Sequence, residues 1–410
     1  MSDKTDILIG INGFGRIGRQ ICRQLLSQPA YLQTPQQKHI KIMAINSGGS
    51  PEELAYRFKY DTVHGTFRGA VSHTHDSIII DNNKIKVYNH RTPEDIPWGD
   101  EKVSIVIECT GKFLTKDTAK SHLTKYRNEY HSQYHSMYYP PSYPPPKKGA
   151  DYVILSAPAK DSETKMIVMG VNEETYRGEE IVSNASCTTN ALAPIAKIIH
   201  DKYGIEEALM STIHSVTSSQ ISLDGSSKKK KDKRIGRAAS GNIIPTTTGA
   251  AKAVGNVIPE LKNKITGMAF RVPTLNVSVV DLTVRVKTPT TLQELNEYII
   301  MQTKSTQLKG KLSCTDEPVV SSDLVGNKNS TTVDLSATIM LNNKFFKIVS
   351  WYDNEAGYSA RIIDLIEHIY NHNTPHTTPQ PTSHNTPQTT PHDRSDLTDN
   401  TPTKLSKETN

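Results

Sequence analysis

Short apolar runs alternate with an amphipathic segment in the first part of the chain. Four runs have the length and composition of buried strands: DILIGIN (6–12), IKIMAIN (40–46), VSIVIECTG (103–111) and DYVILSAP (151–158). The segment RIGRQICRQLLSQ, between the first two, carries apolar residues at helical spacing, at Ile17, Ile21, Leu25 and Leu26. Strand, helix and strand in this order favour right-handed crossovers, and so a parallel, doubly wound α/β sheet.

The hydrophobic pattern changes in the second half of the chain. Long runs in which apolar and polar residues alternate are VSVVDLTVRV (277–286), TVDLSATIMLN (332–342) and FFKIVSWYD (345–353). Such alternation is typical of strands with one buried face, so we expect a largely antiparallel sheet in a second, α+β domain. The amphipathic segment SARIIDLIEHIYNH (359–372) predicts a helix that closes the fold.

Two segments fit neither pattern. Residues 125–148 hold six tyrosines and five prolines without a period, and we interpret them as a solvent-exposed insertion, with a partner-binding arm as the alternative. Residues 371–410 are rich in Thr, Pro, His and Asn and have little to bury, so a disordered tail is expected. Phosphorylation of its Thr-Pro pairs, or weak metal binding by its histidines, is the alternative for the tail.

Length, charge and cysteine content argue against several classes of protein. A chain of 410 residues that is 35% hydrophobic can bury two domain cores. The net charge of +6 owes much to one run, SSKKKKDKR (226–234), so a nucleic-acid partner is not indicated. No apolar run is long enough to span a membrane, and the N-terminus lacks the features of a signal peptide. Four cysteines without a metal-like spacing favour a reducing cytosol and no metal site.

A glycine-rich turn follows the first predicted strand. Gly13, Gly15 and Gly18 form the pattern GxGxxG between that strand and the predicted helix. Glycines at these positions let the backbone turn tightly and approach a pyrophosphate, which the free N–H groups of the helix then bind. The context predicts a Rossmann dinucleotide-binding domain.

The end of the second strand bears on which dinucleotide binds. An acidic residue that holds the adenosine ribose is expected there, but the strand ends Asn46-Ser47-Gly48. A carboxylate would repel a ribose 2′-phosphate, whereas serine does not. NADP, or both NAD and NADP, therefore becomes a candidate cofactor; the alternative is that Ser47 only weakens NAD binding.

One cysteine stands out by its surroundings. Cys187 lies in SNASCTTN (183–190), directly before an apolar run, so a helix is expected to begin beside it, although Pro194 leaves its first turn open. A thiol is mostly protonated near neutral pH unless a helix N-terminus or an imidazole favours the thiolate. His214, in STIHSVTSSQ (211–220), is the candidate imidazole.

Taken together, six motifs resemble phosphorylating glyceraldehyde-3-phosphate dehydrogenase. In family order they are INGFGRIGR, KYDTVHGTF, SNASCTTN, NIIPTTTGAAKAV, GMAFRVPT and SWYDNEAGYS, and they span most of residues 5–370. The resemblance implies a cytoplasmic homotetramer in glycolysis or gluconeogenesis. It also implies an NAD(P)-binding domain at 1–185 containing the insertion, a catalytic domain at 186–347, and a final strand end and helix at 348–370 that return to the first domain.

The family's mechanism implies roles for both candidate catalytic residues. Cys187 adds to the aldehyde of D-glyceraldehyde 3-phosphate, and His214 lowers the pKa of the thiol and takes the proton of the hemithioacetal. The nicotinamide then accepts a hydride from the hemithioacetal, which leaves a thioester on Cys187. Inorganic phosphate attacks this thioester and releases 1,3-bisphosphoglycerate.

Motif matches also imply the binding residues. Arg16 and Ile17 match the pyrophosphate turn, Arg91 and Ser156 match positions near the adenine and nicotinamide, and Asn354 matches the asparagine that holds the carboxamide. Residues matching the site for the substrate phosphate are Thr217 and Arg271. Those matching the site for the attacking phosphate are Ser186, Thr188, Thr248 and Gly249.

The chain departs from the family pattern before NIIP. Gly225-Ser226 stands where NAD-specific members often carry Leu-Pro, which again favours NADP, and the lysine-rich loop is longer than usual. An additional phosphate-binding arginine of some members corresponds to Arg234 or Arg237. Two other functions remain open: erythrose-4-phosphate dehydrogenase, and a binding or scaffold protein on the same fold.

Overall fold

The structure is a computed structural model that describes residues 6–27, 40–124, 149–226 and 232–374. Within these ranges the first sheet has nine strands: β1 Ile7–Asn12, β2 Ile40–Asn46, β3 Val71–His73, β4 Ser77–Ile80, β5 Asn83–Tyr88, β6 Ile105–Glu108, β7 Tyr152–Leu155, β8 Lys165–Met166 and β9 Ile181–Ser183. Their order is β3-β4-β5-β2-β1-β6-β7-β9-β8. Neighbours from β5 to β8 run parallel, and β3 and β4 add an antiparallel edge. The predicted doubly wound sheet is confirmed.

In the described ranges, three helices connect strands of this sheet: α1 Arg16–Leu26, α2 Pro51–Lys59 and α3 Lys116–Ala119. Helix α1 starts directly after the glycine turn and buries Ile21 and Cys22 completely. Helix α2 starts where Ser50 Oγ accepts a hydrogen bond from the backbone N–H of Glu53, with Pro51 at its first position. Both helices therefore begin at the carboxyl edge of the sheet, where doubly wound folds bind ligands.

The second sheet has seven strands: β10 Ile205–His214, β11 Ile244–Thr247, β12 Ile265–Arg271, β13 Ser278–Val286, β14 Leu312–Thr315, β15 Thr331–Asn342 and β16 Phe345–Tyr352. Their order is β11-β12-β10-β13-β16-β15-β14, and four of the six neighbouring pairs are antiparallel. Helices α4 Cys187–Tyr203, α5 Ala250–Val257 and α6 Leu292–Thr303 contribute to the same core. The predicted α+β arrangement with a largely antiparallel sheet is confirmed.

The last helix, α7 Ala356–Asn373, packs its apolar face into the core of the first sheet through Ile362, Leu365 and Ile366. At its end, Asn373 donates a hydrogen bond to the hydroxyl of Tyr176 over 2.9 Å. Residues 371–373 belong to this helix, which corrects the start of the predicted tail at 371. The remaining tail, the insertion 125–148 and most of the lysine run lie outside the described residues, and the domain boundaries stay a prediction.

None of the helices in the described ranges combines the length and the apolar character that crossing a membrane requires.

Candidate active site

Cys187 is the first residue of the 17-residue helix α4. Ser186 caps this helix, since its Oγ accepts a hydrogen bond from the backbone N–H of Thr189 over 2.9 Å. Ala185, just before the cap, has a φ of 55°, a strained conformation for a residue with a side chain. The hydroxyl of Tyr358 donates to its carbonyl over 2.9 Å and helps to hold it. The helix is continuous through Pro194, so the first turn around the thiol is formed.

Cys187 Sγ lies 3.5 Å from Nε2 of His214, the last residue of β10. Strand β12 runs parallel to β10 and pairs Arg271 with His214 in register, which brings the guanidinium into the same site. Arg271 Nη1 lies 2.6 Å from His214 Nδ1. The structure therefore brings together the predicted nucleophile, the predicted base and the predicted phosphate-binding arginine.

The tautomer of the neutral His214 ring depends on which neighbour hydrogen-bonds to its Nδ1. Nδ1 lies 2.8 Å from the carbonyl oxygen of Ser215, which only accepts, and 2.6 Å from Arg271 Nη1, which only donates. If Nδ1 carries the proton, it donates to Ser215 and Nε2 is free to accept a proton from the thiol. If Arg271 donates to Nδ1, the proton of a neutral ring sits on Nε2, facing the sulfur.

Burial is the larger cause of the pKa shifts at this pair. It lowers the pKa of His214 to about 3, with the Arg271 cation acting in the same direction. Burial raises the pKa of the Cys187 thiol, against opposing effects of Arg271 and of nearby hydrogen-bond donors. The expected lowering of the thiol pKa by His214 is not among these causes and stays a prediction.

A cavity of about 1100 Å³ opens over this pair, and its wall includes many of the predicted binding residues: Arg16, Ile17, Ser156, Ser186, Thr217, Arg271 and Asn354. Asn354 is oriented by two hydroxyls, those of Ser215 and Ser278, which donate to its Oδ1 over 2.8 and 3.0 Å. Its amide N–H groups are thus left for other acceptors, as a residue that holds a carboxamide requires.

A second cavity, of about 830 Å³, follows the glycine turn and includes Gly13, Gly15, Ser47 and Arg91 in its wall. Ser218 borders both cavities, so they adjoin. No heavy atom outside the adjoining residues lies within 4 Å of where a Cβ on Gly15 would sit, so the turn leaves an open cradle. Gly13 has a φ of 101°, and a Cβ on Gly18 would lie 2.3 Å from the carbonyl oxygen of Gly13. These features fit a dinucleotide with its pyrophosphate on the turn.

Several predicted residues do not border either cavity. Arg234 and Arg237 instead pair with Asp232 and Asp224 of their own loop, over 3.0 and 2.9 Å. Thr248 Oγ1 accepts a hydrogen bond from the N–H of Ala250 where α5 begins, next to Gly249. The hydroxyl of Thr188 hydrogen-bonds to that of Tyr352 over 2.9 Å and is buried. For these residues the phosphate-binding roles stay predictions.

The side chain of Arg16 is already engaged. It donates to Glu355 from Nε over 2.6 Å and to Asp61 from Nη1 over 2.5 Å. His64 Nε2 lies 2.9 Å from the same Glu355 carboxylate. Arg16 can therefore contribute its backbone N–H to a pyrophosphate, while its guanidinium links three segments of the chain. The motifs KYDTVHGTF and SWYDNEAGYS contain the two acids of this ion-pair cluster, but nothing in their sequence indicates that both acids contact Arg16.

Comparison with known protein families agrees with this geometry. Residues 7–116 match the family domain described as "Glyceraldehyde 3-phosphate dehydrogenase, NAD binding domain", and residues 186–354 match its "C-terminal domain". The chain belongs to the glyceraldehyde-3-phosphate dehydrogenase family. The resemblance inferred from the six motifs is thus confirmed, together with the Rossmann-type domain and the second domain.

Similar proteins in the family come from yeasts and related fungi. The chain is 48% identical over 364 residues to a glyceraldehyde-3-phosphate dehydrogenase of Eremothecium gossypii, covering 88% of this chain and 99% of that protein. It is equally similar, at 48% over 365 residues, to glyceraldehyde-3-phosphate dehydrogenase 3 of Saccharomyces cerevisiae, covering 88% of this chain and 99% of the relative. The family domain and these relatives support a glyceraldehyde-3-phosphate dehydrogenase with an NAD-binding domain.

Proposed function

We propose that this member of the family catalyses the phosphorylating oxidation of D-glyceraldehyde 3-phosphate to 1,3-bisphosphoglycerate, with NAD, NADP or both, through a thioester on Cys187. The observation that carries the proposal is the 3.5 Å contact of Cys187 Sγ with His214 Nε2 at the N-terminus of α4, in the wall of a large cavity. A helix N-terminus favours the thiolate, and an imidazole within reach can accept a proton.

In this proposal the two side chains divide the chemistry. Cys187 Sγ adds to the aldehyde carbon, and His214 Nε2 takes the proton of the hemithioacetal hydroxyl. The dinucleotide, when bound, supplies the hydride acceptor. The thioester that remains on Cys187 is attacked by inorganic phosphate, which forms the acyl phosphate and restores the thiolate.

Two anions have to be held beside Cys187. Arg271 and Thr217, both in the cavity wall, suit the phosphate of the substrate because one brings a planar fork of N–H donors and the other a hydroxyl. For the attacking phosphate we propose Ser186, Thr188, Thr248 and Gly249, with Arg234 or Arg237 as a further contact. Binding of the second anion requires Arg234 or Arg237 to leave its present acidic partner.

The cofactor proposal includes NADP as well as NAD. Ser47 lies at the end of β2, where a carboxylate would exclude a 2′-phosphate, and Gly225-Ser226 favours the same cofactor.

A homotetramer is the proposed assembly. One face of the second sheet exposes apolar side chains, with Leu209 64%, Met268 38% and Ile339 56% exposed. A sheet face of this kind is suited to burial against another copy of the chain. We place the enzyme in the cytosol, in glycolysis or gluconeogenesis.

Initial rates test the proposal. The enzyme is mixed with each cofactor and with glyceraldehyde 3-phosphate or erythrose 4-phosphate, with and without inorganic phosphate, and reduced cofactor is followed by absorbance. We expect turnover of glyceraldehyde 3-phosphate that requires phosphate. Turnover confined to erythrose 4-phosphate would favour that dehydrogenase, and no turnover of either aldehyde would favour a binding or scaffold protein.

A further inference from the structure

We propose that Arg57, together with Ser47 and Arg91, forms a binding site for the 2′-phosphate of NADP. The inference rests on the proposed use of a dinucleotide by this fold and goes beyond it, because it assigns a cation on α2 to one group of one cofactor. The feature that supports it is the wall of the second cavity, where all three residues meet beyond the end of β2.

The backbone between Ser47 and Arg57 leaves room for a ligand group. Gly48 has no heavy atom within 4 Å of its Cβ position, and Gly49 has a φ of 104°. A Cβ on Gly49 would lie 3.6 Å from Arg57 Nη2 and 2.6 Å from Oε2 of Glu53, so the Glu53–Arg57 pair lies over this loop and the carboxylate has to move when a phosphate binds. Ser47 Oγ makes one long hydrogen bond, 3.4 Å to the carbonyl of Gly48, and it can exchange this for a phosphate oxygen.

The charges in the wall of the second cavity favour binding of an anionic group. Three cationic side chains contribute to it, Arg57, Arg91 and Lys112, and no Asp or Glu of the described residues does. Neither Arg91 nor Lys112 forms an ion pair within the part of the chain that is described. The pyrophosphate sits on backbone N–H groups of the glycine turn, so this excess of cations at the ribose end is available to a further phosphate.

The present partner of Arg57 is easily exchanged. Arg57 Nη2 lies 3.0 Å from Glu53 Oε1, but the two side chains are 42% and 54% exposed, so the pair contributes little. Arg57 Nε is buried and makes no hydrogen bond. Once Arg57 releases Glu53 and its side chain turns into the cavity, a phosphate dianion accepts from two N–H groups of the guanidinium, as a planar fork of donors favours. The exchange replaces the weak surface ion pair between Arg57 and Glu53 by two charge-assisted hydrogen bonds from the guanidinium to the phosphate.

Direct binding is the first test, because it does not depend on turnover. Isothermal titration calorimetry compares adenosine 2′,5′-bisphosphate with 5′-AMP on the wild type, Arg57→Gln and the control Arg68→Gln, which alters an exposed arginine outside both cavities. We expect the wild type to prefer the 2′-phosphorylated nucleotide, and Arg57→Gln to lose about tenfold or more of that preference. Arg68→Gln should keep it.

Two results would overturn the inference. One is a wild type that binds the two nucleotides equally well. The other is an Arg57→Gln variant that weakens both nucleotides to the same extent, which would make Arg57 a general attractor of anions.

Kinetics separates this inference from the proposed function. The ratio of kcat/KM for NADP to that for NAD should fall by about tenfold in Arg57→Gln and fall further in Ser47→Asp, which adds a repelling carboxylate. If the enzyme oxidises the aldehyde with NAD but neither substitution changes the ratio of kcat/KM for NADP to that for NAD, the 2′-phosphate site is wrong and the proposed function stands. If the protein prefers the 2′-phosphorylated nucleotide in calorimetry but oxidises neither aldehyde, the proposed function is wrong and the 2′-phosphate site stands.

Discussion

At the residue scale, Gly15 matters for the space that it leaves open. A Cβ there would meet no atom of the unliganded chain outside its own neighbours, and the backbone φ of −77° suits any residue. We predict that Gly15→Ala leaves the free energy of unfolding within about 0.5 kcal/mol of the wild type. The same methyl group would fill the pyrophosphate cradle and weaken dinucleotide binding by about tenfold or more.

Urea unfolding and calorimetric titration with NAD measure the two effects of Gly15→Ala separately. Gly241→Ala is the matched control, since its Cβ position is also open but lies outside both cavities. Unchanged NAD affinity in Gly15→Ala would contradict the assignment of the cradle.

Arg271 and His214 give a pH-dependent prediction. Burial and the adjacent cation hold the pKa of His214 down at about 3, so its imidazole is neutral at neutral pH. Replacing the cation in Arg271→Gln should raise the pKa of His214 without restoring its ordinary value, because the desolvation remains. Carbon-13 labelling of histidine and NMR titration measure the shift. A His214 pKa that is lower, or unchanged, in Arg271→Gln would show that the guanidinium does not act on the ring.

The sequence was sufficient to predict that Cys187, His214 and Arg271 come together, but not all of their contacts. Cys187 and His214 could be paired because each lies in a distinctive motif next to a strand or helix end. The contact of Arg271 with His214 Nδ1 could not, because it depends on the parallel register of β10 and β12. Arg57 could not be predicted for a similar reason, because nothing in its local sequence indicates that its guanidinium lies near Gly49.

At the scale of elements, one ion-pair cluster joins three segments. Arg16 at the start of α1 holds Asp61, which follows α2, and Glu355, which directly precedes α7. Glu355 is the neighbour of Asn354, so the cluster fixes the position of the side chain proposed to hold the carboxamide relative to the glycine turn. The side chain of Arg16 is 29% exposed, so removing one partner leaves a partly buried cation without its full set of acceptors.

We predict that Asp61→Asn destabilises the protein by about 2 kcal/mol at neutral pH. The hydrogen bonds from Arg16 and two backbone N–H groups lower the pKa of Asp61 to about 2, against the effect of burial. A carboxyl whose pKa is lowered by folding stabilises the native state above its unfolded pKa, near 4, and loses this contribution as the pH falls towards 2. The stability gap between wild type and Asp61→Asn should therefore narrow over that interval.

Urea unfolding at pH 7 and at points between pH 4 and pH 2 checks the prediction, with Asp95→Asn at an exposed carboxyl as control. A gap that stays constant across this interval would mean that the charge of Asp61 contributes nothing.

The elements themselves were predictable wherever the hydrophobic period was strong. Buried parallel strands such as β1 and β2, and the alternating strands β13 and β16, have bounds within a residue or two of the expected ones. The edge strand β3 and its neighbour β4 escaped prediction because VSH and SIII are too short to display a period. Helix α7 ends at Asn373, one residue beyond the predicted segment 359–372, where Asn373 donates a hydrogen bond to Tyr176.

At the scale of the whole molecule, the exposed face of the second sheet bears on assembly. Leu209 on β10 points outward, as does Met268 on β12. We predict that Leu209→Lys shifts the proposed tetramer towards smaller species, because burying an unpaired ammonium at an interface between copies is costly. Light scattering coupled to size exclusion measures the shift, with Met301→Lys on the exposed side of α6 as control. A tetramer that withstands Leu209→Lys as well as it withstands the control would contradict this interface.

The central claim is that Cys187 forms the acyl enzyme, and the mass of the intact protein tests it most directly. The enzyme is incubated with glyceraldehyde 3-phosphate and NAD in the absence of inorganic phosphate, and then phosphate is added. The account predicts a gain of one 3-phosphoglyceroyl group on Cys187, lost on addition of phosphate and absent from Cys187→Ser. An adduct on Cys109 or Cys314, or turnover that persists in Cys187→Ser, would contradict it.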